Sequence, residues 1–145
     1  PSVALFSGGG ATGPFPRYTA YALAKVATVR LVENLAAEEP GWRVNAVAPG
    51  FVATGIHRAT LALPAEQVGP YREETRRRLR DAAPPEEAAA LVAFLLSDAS
   101  GGITGRLISA VWDPWREEAG RGVLRGPSDF GRLRRVDGHR YYERR

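Results

Sequence analysis

The first strand-like run of the chain, Ser2 to Phe6, ends directly at a cluster of glycines, and this junction limits the folds open to the sequence. The run is short, almost wholly apolar and rich in strand-forming residues, which predicts a buried strand of a parallel sheet. Ligands of open α/β sheets bind beyond the carboxyl ends of the strands. Ser7 follows the last residue of this run, so we expect chemistry at Ser7 and in the loop after it.

A helix that carries a tyrosine and a lysine near its start follows the glycines. From Thr19, which we expect to cap the helix, apolar residues recur at helical spacing as far as Ala36. Tyr21 and Lys25, the single lysine among 20 basic residues, are four apart and share one face. A nearby cation lowers the pKa of a phenol from its usual ~10. The pair therefore predicts proton exchange with an alcohol or carbonyl oxygen, the alternative being chance spacing.

The glycine cluster at residues 8–13 satisfies the pattern GxGxxG and follows a predicted strand, which makes a phosphate-binding loop one alternative for this segment. Such a loop opens directly into a helix whose N-terminal amides hold the phosphates. Pro14 and Pro16 interrupt that path because proline removes a backbone donor and favours extended geometry before it. We therefore favour a turn that brings Ser7 and Tyr21 together over a phosphate site.

The remainder of the chain alternates strands and helices. Residues 42–48 predict a second strand that closes at Pro49-Gly50, and residues 107–111 predict a third. The long connection at 55–83 predicts a lid with one charged helix at 72–81. A helix should begin at Pro84-Pro85, and the apolar run 88–96 predicts that it is buried. Residues 132–142 suggest a short hairpin.

Five blocks of sequence, in this order, resemble the C-terminal half of a classical short-chain dehydrogenase/reductase over residues 2–113. The resemblance implies an α/β fold with a Rossmann-like, doubly wound parallel sheet, of which only the C-terminal portion is present and the N-terminal dinucleotide-binding half is missing. It places this portion at 1–113 and a basic extension at 114–145. The blocks are Val3-Ala-Leu-Phe-Ser7 with its glycine loop, Tyr21-Ala-Leu-Ala-Lys25, Arg43-Val-Asn-Ala-Val-Ala-Pro-Gly50 with Thr54, Phe94-Leu-Leu-Ser-Asp98, and Ile103-Thr-Gly105.

The resemblance implies hydride transfer between NAD or NADP and a small carbonyl or alcohol substrate. Tyr21 would be the acid/base, Lys25 would lower the tyrosine pKa and hold the nicotinamide ribose, and Ser7 would hydrogen-bond the reacting oxygen. Ser7 departs from the family pattern, because the family's serine precedes the tyrosine by thirteen positions and Gly8 occupies that position here.

The resemblance also implies which residues contact the cofactor and which elements form the interface with a second copy of the chain. Pro49 and Gly50 would lie under the nicotinamide, while Val52 and Thr54 would contact its carboxamide. Segment 55–83 would cover the substrate. The helix after Pro85 and the last strand would meet their copies in a homodimer or homotetramer.

Composition narrows the other possibilities. The 145 residues include no cysteine, which excludes disulfides and thiolate catalysis. No apolar run approaches the ~18 residues of a membrane span and no secretion signal is evident, so we expect a cytoplasmic protein with no membrane partner. Residues 116–145 hold nine arginines and five acidic residues, which accounts for the net charge of +4. Arginine is preferred throughout the chain, so we expect no nucleic-acid partner.

The two histidines, His57 and His139, have neither metal-ligand spacing nor the company of a catalytic triad, and no metal is expected. His57 lies just after the Pro-Gly turn, where a substrate contact is the alternative to a structural role. A competing hypothesis for the whole chain is a catalytically incomplete fragment that acts as a non-enzymatic or oligomerisation module. The substrate, the choice between NAD and NADP, and the direction of reaction stay open.

Overall fold

The fold is built on a three-stranded parallel sheet. The computed structural model describes residues 1–135; the hairpin suggested at 132–142 falls largely on residues outside that range, as does His139. Strands β1 (Ser2–Phe6), β2 (Arg43–Ala48) and β3 (Leu107–Ser109) lie in the order β1-β2-β3. All pairs are parallel, and the helices between the strands make this the expected α/β arrangement.

Helix α1 (Thr19–Glu38) packs against one face of the sheet. Its fully buried residues Val29 and Val32 form a core with Val44 and Ala46 of β2. Thr19 is the first residue of the helix and therefore not its N-cap. The N-cap is Tyr18, which makes no side-chain capping bond. The predicted cap is therefore wrong, although the predicted helix is confirmed.

The connection at 55–83 holds three short helices rather than the one expected. They are α2 (His57–Ala62), α3 (Ala65–Val68) and α4 (Tyr71–Arg78). Pro64 and Pro70 directly precede α3 and α4, where the fixed backbone of proline suits a helix start. The two ends of this connection lie close together: the amide of Ala83 donates to the carbonyl of Phe51 at 2.8 Å.

Helix α5 (Pro85–Leu96) begins at the predicted proline and covers the other face of the sheet. Only one side of it is buried: Ala88, Leu91 and Leu95 are 6%, 0% and 1% exposed, whereas Leu96 is 47% exposed. The expectation of a wholly buried helix is thus wrong for the outer face. A straight helix contacts the sheet along one face only, so its outer face stays exposed even where the residues there are apolar.

The chain beyond β3 returns to the sheet. Helix α6 (Glu118–Arg125) contributes Leu124 to the core beside α5. The guanidinium of Arg106, which is 1% exposed, donates to the carbonyls of residues 126, 128 and 130 at 2.5 to 2.6 Å. The amide of Leu107 donates to the carbonyl of Gly131 at 2.7 Å, on the side of β3 that faces away from β2. Part of the outer edge of β3 is therefore covered by this chain itself; the boundary at 113 and the contact with a second copy stay predictions.

Candidate active site

A cleft of 1630 Å³ opens at the carboxyl ends of the strands. Its walls come from the glycine loop, the start of α1, the turn after β2 and the helices at 57–78. The tertiary structure thus brings every sequence-predicted site residue to one place: Ser7, Tyr21, Lys25, Pro49, Gly50, Val52 and Thr54.

The glycine loop positions the phenol of Tyr21. A Cβ placed on Gly8 would lie 3.6 Å from the Tyr21 hydroxyl oxygen, and one on Gly10 would lie 3.3 Å from the ring and from the Cα of Ala22. The loop forms one 3-10 turn at Gly9–Ala11, and α1 begins only at Thr19. The expected turn in the glycine loop is confirmed, and the glycines allow the backbone to approach the Tyr21 ring closely; a direct meeting of Ser7 and Tyr21 stays a prediction.

The ammonium of Lys25 lies beside the ring of Tyr21. Its Nζ is 5.4 Å from the ring centre and donates to the carbonyl of Phe6 at 3.3 Å. Burial raises the pKa of the Tyr21 phenol above its usual value, which is opposite to the direction expected from the sequence. Removing a phenolate from water disfavours it, and spacing along a helix carries no information about that desolvation.

Ser7 is 3% exposed, and its hydroxyl donates to the main-chain carbonyl of Lys25 at 2.9 Å. The bond fastens the end of β1 to the first turns of α1. The residue thirteen positions before Tyr21 is Gly8, and a Cβ there would lie 3.6 Å from the Tyr21 hydroxyl oxygen. The role of Ser7 at the reacting oxygen stays a prediction, and the geometry favours a positioning role.

The turn after β2 forms the opposite wall. Gly50 has φ +81°, and a Cβ there would lie 2.7 Å from Cγ2 of Val111, so both its conformation and its surroundings require glycine. His57 stacks on Phe51 with ring centres 4.2 Å apart, and its Nε2 lies 3.0 Å from the carbonyl oxygen of Val52. Since a carbonyl only accepts, His57 donates in this contact and fixes the segment after the turn.

An aromatic pocket of 200 Å³ adjoins the cleft, and sequence analysis missed it. The rings of Phe15, Tyr18, Tyr21 and Tyr71 contact one another with centres 4.7 to 5.8 Å apart. The available signal was the concentration of aromatic residues among the prolines just before α1, together with a tyrosine in the expected lid. The opposite wall is Ile56, His57, Ala59, Thr60 and Leu63.

Comparison with known proteins identifies the fold and the family. A family model described as enoyl-(acyl carrier protein) reductase matches residues 2–110. Dehydrogenase/reductase SDR family member 4 of Bos taurus is 34% identical over 109 residues, covering 74% of this chain and 38% of the relative. The chain belongs to the short-chain dehydrogenase/reductase family.

Other family members give the same picture. Oxidoreductase UcpA of Escherichia coli strain K12 is 40% identical over 102 residues, which cover 62% of this chain and 36% of UcpA. The crystal structure of a short chain dehydrogenase family protein from Francisella tularensis superposes with a TM-score of 0.59 at 32% identity, over 73% of this chain and 48% of that one. This short-chain dehydrogenase/reductase chain spans little more than a third of the length of the curated relatives it matches.

The residues expected at one end of a nicotinamide dinucleotide lie together in this family member. The Pro49-Gly50 turn, Tyr21 and Lys25 border the same cleft. A phosphate-binding helix start after the glycines is not found among residues 1–135, because α1 begins six residues after the loop ends. The same part of the chain contains no group of His, Cys, Asp or Glu side chains arranged to hold a metal. Every helix in it is too short or too polar to cross a lipid bilayer, and the compartment stays a prediction.

Proposed function

We propose that this chain carries the catalytic part of an NAD- or NADP-dependent oxidoreductase that acts on a carbonyl or alcohol of a small molecule. The observation that carries the proposal is the meeting of Tyr21, Lys25 and the Pro49-Gly50 turn in one cleft beyond the strand ends. Family membership supports an oxidoreductase in general, since the matched relatives are named dehydrogenase/reductase and oxidoreductase.

Proton transfer is the task of Tyr21. When bound, the nicotinamide supplies the hydride to a carbonyl carbon, or accepts it from an alcohol carbon. The Tyr21 hydroxyl gives its proton to the carbonyl oxygen in reduction and takes it back in oxidation. Because burial raises its pKa, Tyr21 holds its proton at neutral pH, and this is the form that reduction requires.

The remaining site residues would bind and orient the cofactor or hold the catalytic helix in place. Lys25 would bind the nicotinamide ribose and bring a positive charge near the phenol as Tyr21 loses its proton. Pro49 and Gly50 would support the nicotinamide, with Val52 and Thr54 at its carboxamide. Ser7 keeps α1 in place through Lys25, and its own hydroxyl would reach the reacting oxygen only if that bond rearranged.

The test is an assay of cofactor oxidation in a chimera, in which this chain replaces the matching C-terminal region of Escherichia coli UcpA. The chimera supplies the part of the family's length that the chain does not span. We expect loss of reduced-nicotinamide absorbance in the presence of a ketone, with NADH or NADPH. A folded chimera that binds the cofactor and reduces no member of a broad ketone panel would refute the proposal.

A non-enzymatic or oligomerisation module is the second candidate, favoured by one observation. Within residues 1–135, the side of β1 away from β2 pairs with no strand, and Phe6 at its end is 52% exposed. An open strand edge is a place where another chain can pair. This candidate predicts a stable complex through β1 and no cofactor-dependent chemistry in the same chimera.

A further inference from the structure

We propose that the aromatic pocket binds the substrate's side chain and selects an uncharged, single-ring ketone or the corresponding alcohol. The inference rests on the proposed function, which it deepens by naming a substrate class. Tyr21 makes the connection, because it lines both the aromatic pocket and the main cleft. A ring held in the pocket therefore has its carbonyl arm at the Tyr21 hydroxyl.

The pocket is shaped for a flat, apolar group. Phe15 stacks on Tyr18 with ring centres 4.7 Å apart, and the ring of Tyr71 meets both at steep angles of 83° and 69°. Rings arranged in this way present faces and edges at right angles, which is how aromatic groups prefer to contact a further ring. Ile56 and Leu63 provide aliphatic surface opposite.

The polar groups of the pocket are already satisfied. The hydroxyls of Tyr18 and Thr60 lie 2.8 Å apart and hydrogen-bond each other, and Thr60 is 6% exposed. His57 directs its Nε2 to the carbonyl of Val52. Of the residues described, no Asp, Glu, Lys or Arg lines this pocket. A charged ligand would lose water there and find no partner, which is costly.

Charged groups border the pocket from the main cleft, where Nζ of Lys25 lies 5.4 Å from the centre of the Tyr21 ring. Glu74 and Arg78 of α4 line the main cleft and pair with each other at 2.6 Å. Burial is the main cause of a raised pKa at Tyr71, which Arg78 partly offsets, so the Tyr71 phenol adds no charge to the pocket. These charged side chains line the main cleft and not the aromatic pocket.

The volume of the aromatic pocket suits a ligand with one ring. An apolar protein cavity of ~150 Å³ accommodates benzene, and the aromatic pocket measures 200 Å³. The difference leaves room for a short substituent. A second fused ring exceeds the space unless it projects into the main cleft, away from the four tyrosine and phenylalanine rings.

The test uses the chain as it exists, without cofactor, and measures ligand binding by saturation-transfer NMR. Acetophenone is the probe. 4-Acetylbenzoate has the same ring and ketone with a carboxylate on the opposite side of the ring, inside the pocket, and tests charge, and 2-acetylnaphthalene tests size. Ala59→Trp fills the pocket, whereas Ala62→Trp places the same bulk on the same helix outside either cavity and is the matched control.

We expect acetophenone to bind the wild-type chain and Ala62→Trp alike, and to bind Ala59→Trp about tenfold or more weakly. 4-Acetylbenzoate and 2-acetylnaphthalene should compete poorly. The proposal is overturned if acetophenone does not bind, if its affinity survives Ala59→Trp, or if 4-acetylbenzoate binds as well as acetophenone.

The two proposals fail separately. Acetophenone binding that depends on Ala59, in a chain whose UcpA chimera transfers no hydride, would refute the oxidoreductase and the substrate role, and would leave the pocket as a binding site for a single-ring ketone. Hydride transfer to charged or large ketones by the chimera, without acetophenone binding, would do the reverse.

Discussion

The hydroxyl of Ser7 donates a hydrogen bond of 2.9 Å to the main-chain carbonyl oxygen of Lys25. This bond joins the end of β1 to the helix that carries Tyr21, over a separation of 18 residues. It fixes where the phenol lies relative to the strand ends, and it uses the one proton that Ser7 has to donate.

Replacing Ser7 should therefore affect stability more than chemistry. We expect Ser7→Ala to lower the free energy of unfolding by about 1 kcal/mol, the typical value of one internal hydrogen bond, as measured by urea denaturation. Thr28→Ala is the control, since Thr28 makes a similar bond to the carbonyl of Ala24 on the exposed side of α1. If Ser7→Ala lowered kcat in the UcpA chimera as much as Tyr21→Phe does and left stability unchanged, Ser7 would instead hydrogen-bond the reacting oxygen.

Removal of the phenol hydroxyl should stop turnover. In the UcpA chimera, Tyr21→Phe should reduce kcat by ~10²-fold or more, the range typical of general acid catalysis, and leave cofactor affinity nearly unchanged. The ring remains to line the aromatic pocket, so acetophenone should still bind. Retention of most of the wild-type kcat would mean that another group carries the proton.

The ammonium of Lys25 should not be replaceable by a guanidinium. Lys25→Arg keeps the charge, but a planar fork cannot occupy the position of a compact ammonium between the Tyr21 ring and the Phe6 carbonyl. We expect strongly reduced kcat/KM in Lys25→Arg and in the uncharged Lys25→Met. If Lys25→Arg were near normal with an unshifted pH profile, only the charge would matter.

Asp113 provides a pH test of the fold beside the cleft. Its Oδ2 accepts the amide of Ser109 at 2.7 Å, and burial raises the pKa of the carboxyl while that bond partly offsets the rise. A folded-state pKa above the unfolded value of ~3.9 gives stability that is full below the unfolded pKa and is lost as pH rises through the folded pKa. Asp113→Asn keeps an acceptor oxygen and cannot ionise.

We therefore expect Asp113→Asn to have a higher Tm than the wild type at neutral pH, with the difference closing as the pH falls toward ~3. Asp113→Ala is the control and should lower Tm at both pH values because the Ser109 amide loses its acceptor. A Tm advantage of Asp113→Asn that grows on acidification would contradict the direction of the shift.

The chain by itself should self-associate and bind neither dinucleotide measurably. The outer side of β1 is unpaired in the described structure, and α1 exposes Leu23 by 65% and Leu31 by 48%, surfaces that favour association. Light scattering after gel filtration and calorimetric titration with NADH and NADPH measure the two properties. Micromolar binding by a monodisperse sample would reveal a phosphate site, for which residues 8–13 are the first candidates.

Local pattern was sufficient for much of the architecture. The apolar run of β1, the helical periodicity of α1 and the prolines before α5 each indicated an element within a residue or two of its observed position. The four-residue spacing of Tyr21 and Lys25, one turn apart on a single helix face, indicated the candidate chemistry. These features depend on residues that are close in sequence, so they can be predicted from the sequence alone.

Helices α2 and α3 could not be predicted in this way. They have six and four residues, too few to show a period, and such short helices are stable only through tertiary packing. The half-exposed state of α5 likewise depended on the sheet it meets, because its residues alone resemble those of a wholly buried helix.

The site was decided by long-range placement. The Tyr21 phenol has a raised rather than lowered pKa because burial in the folded chain removes water from it, and helix spacing alone does not determine that burial. The Ser7 bond to Lys25 and the aromatic pocket, which joins Phe15 and Tyr18 to Tyr71 of α4, arise from the same cause. The sequence by itself determined which groups are available for chemistry; the tertiary structure decided their solvation, their hydrogen-bond partners and the shape of the space beside them.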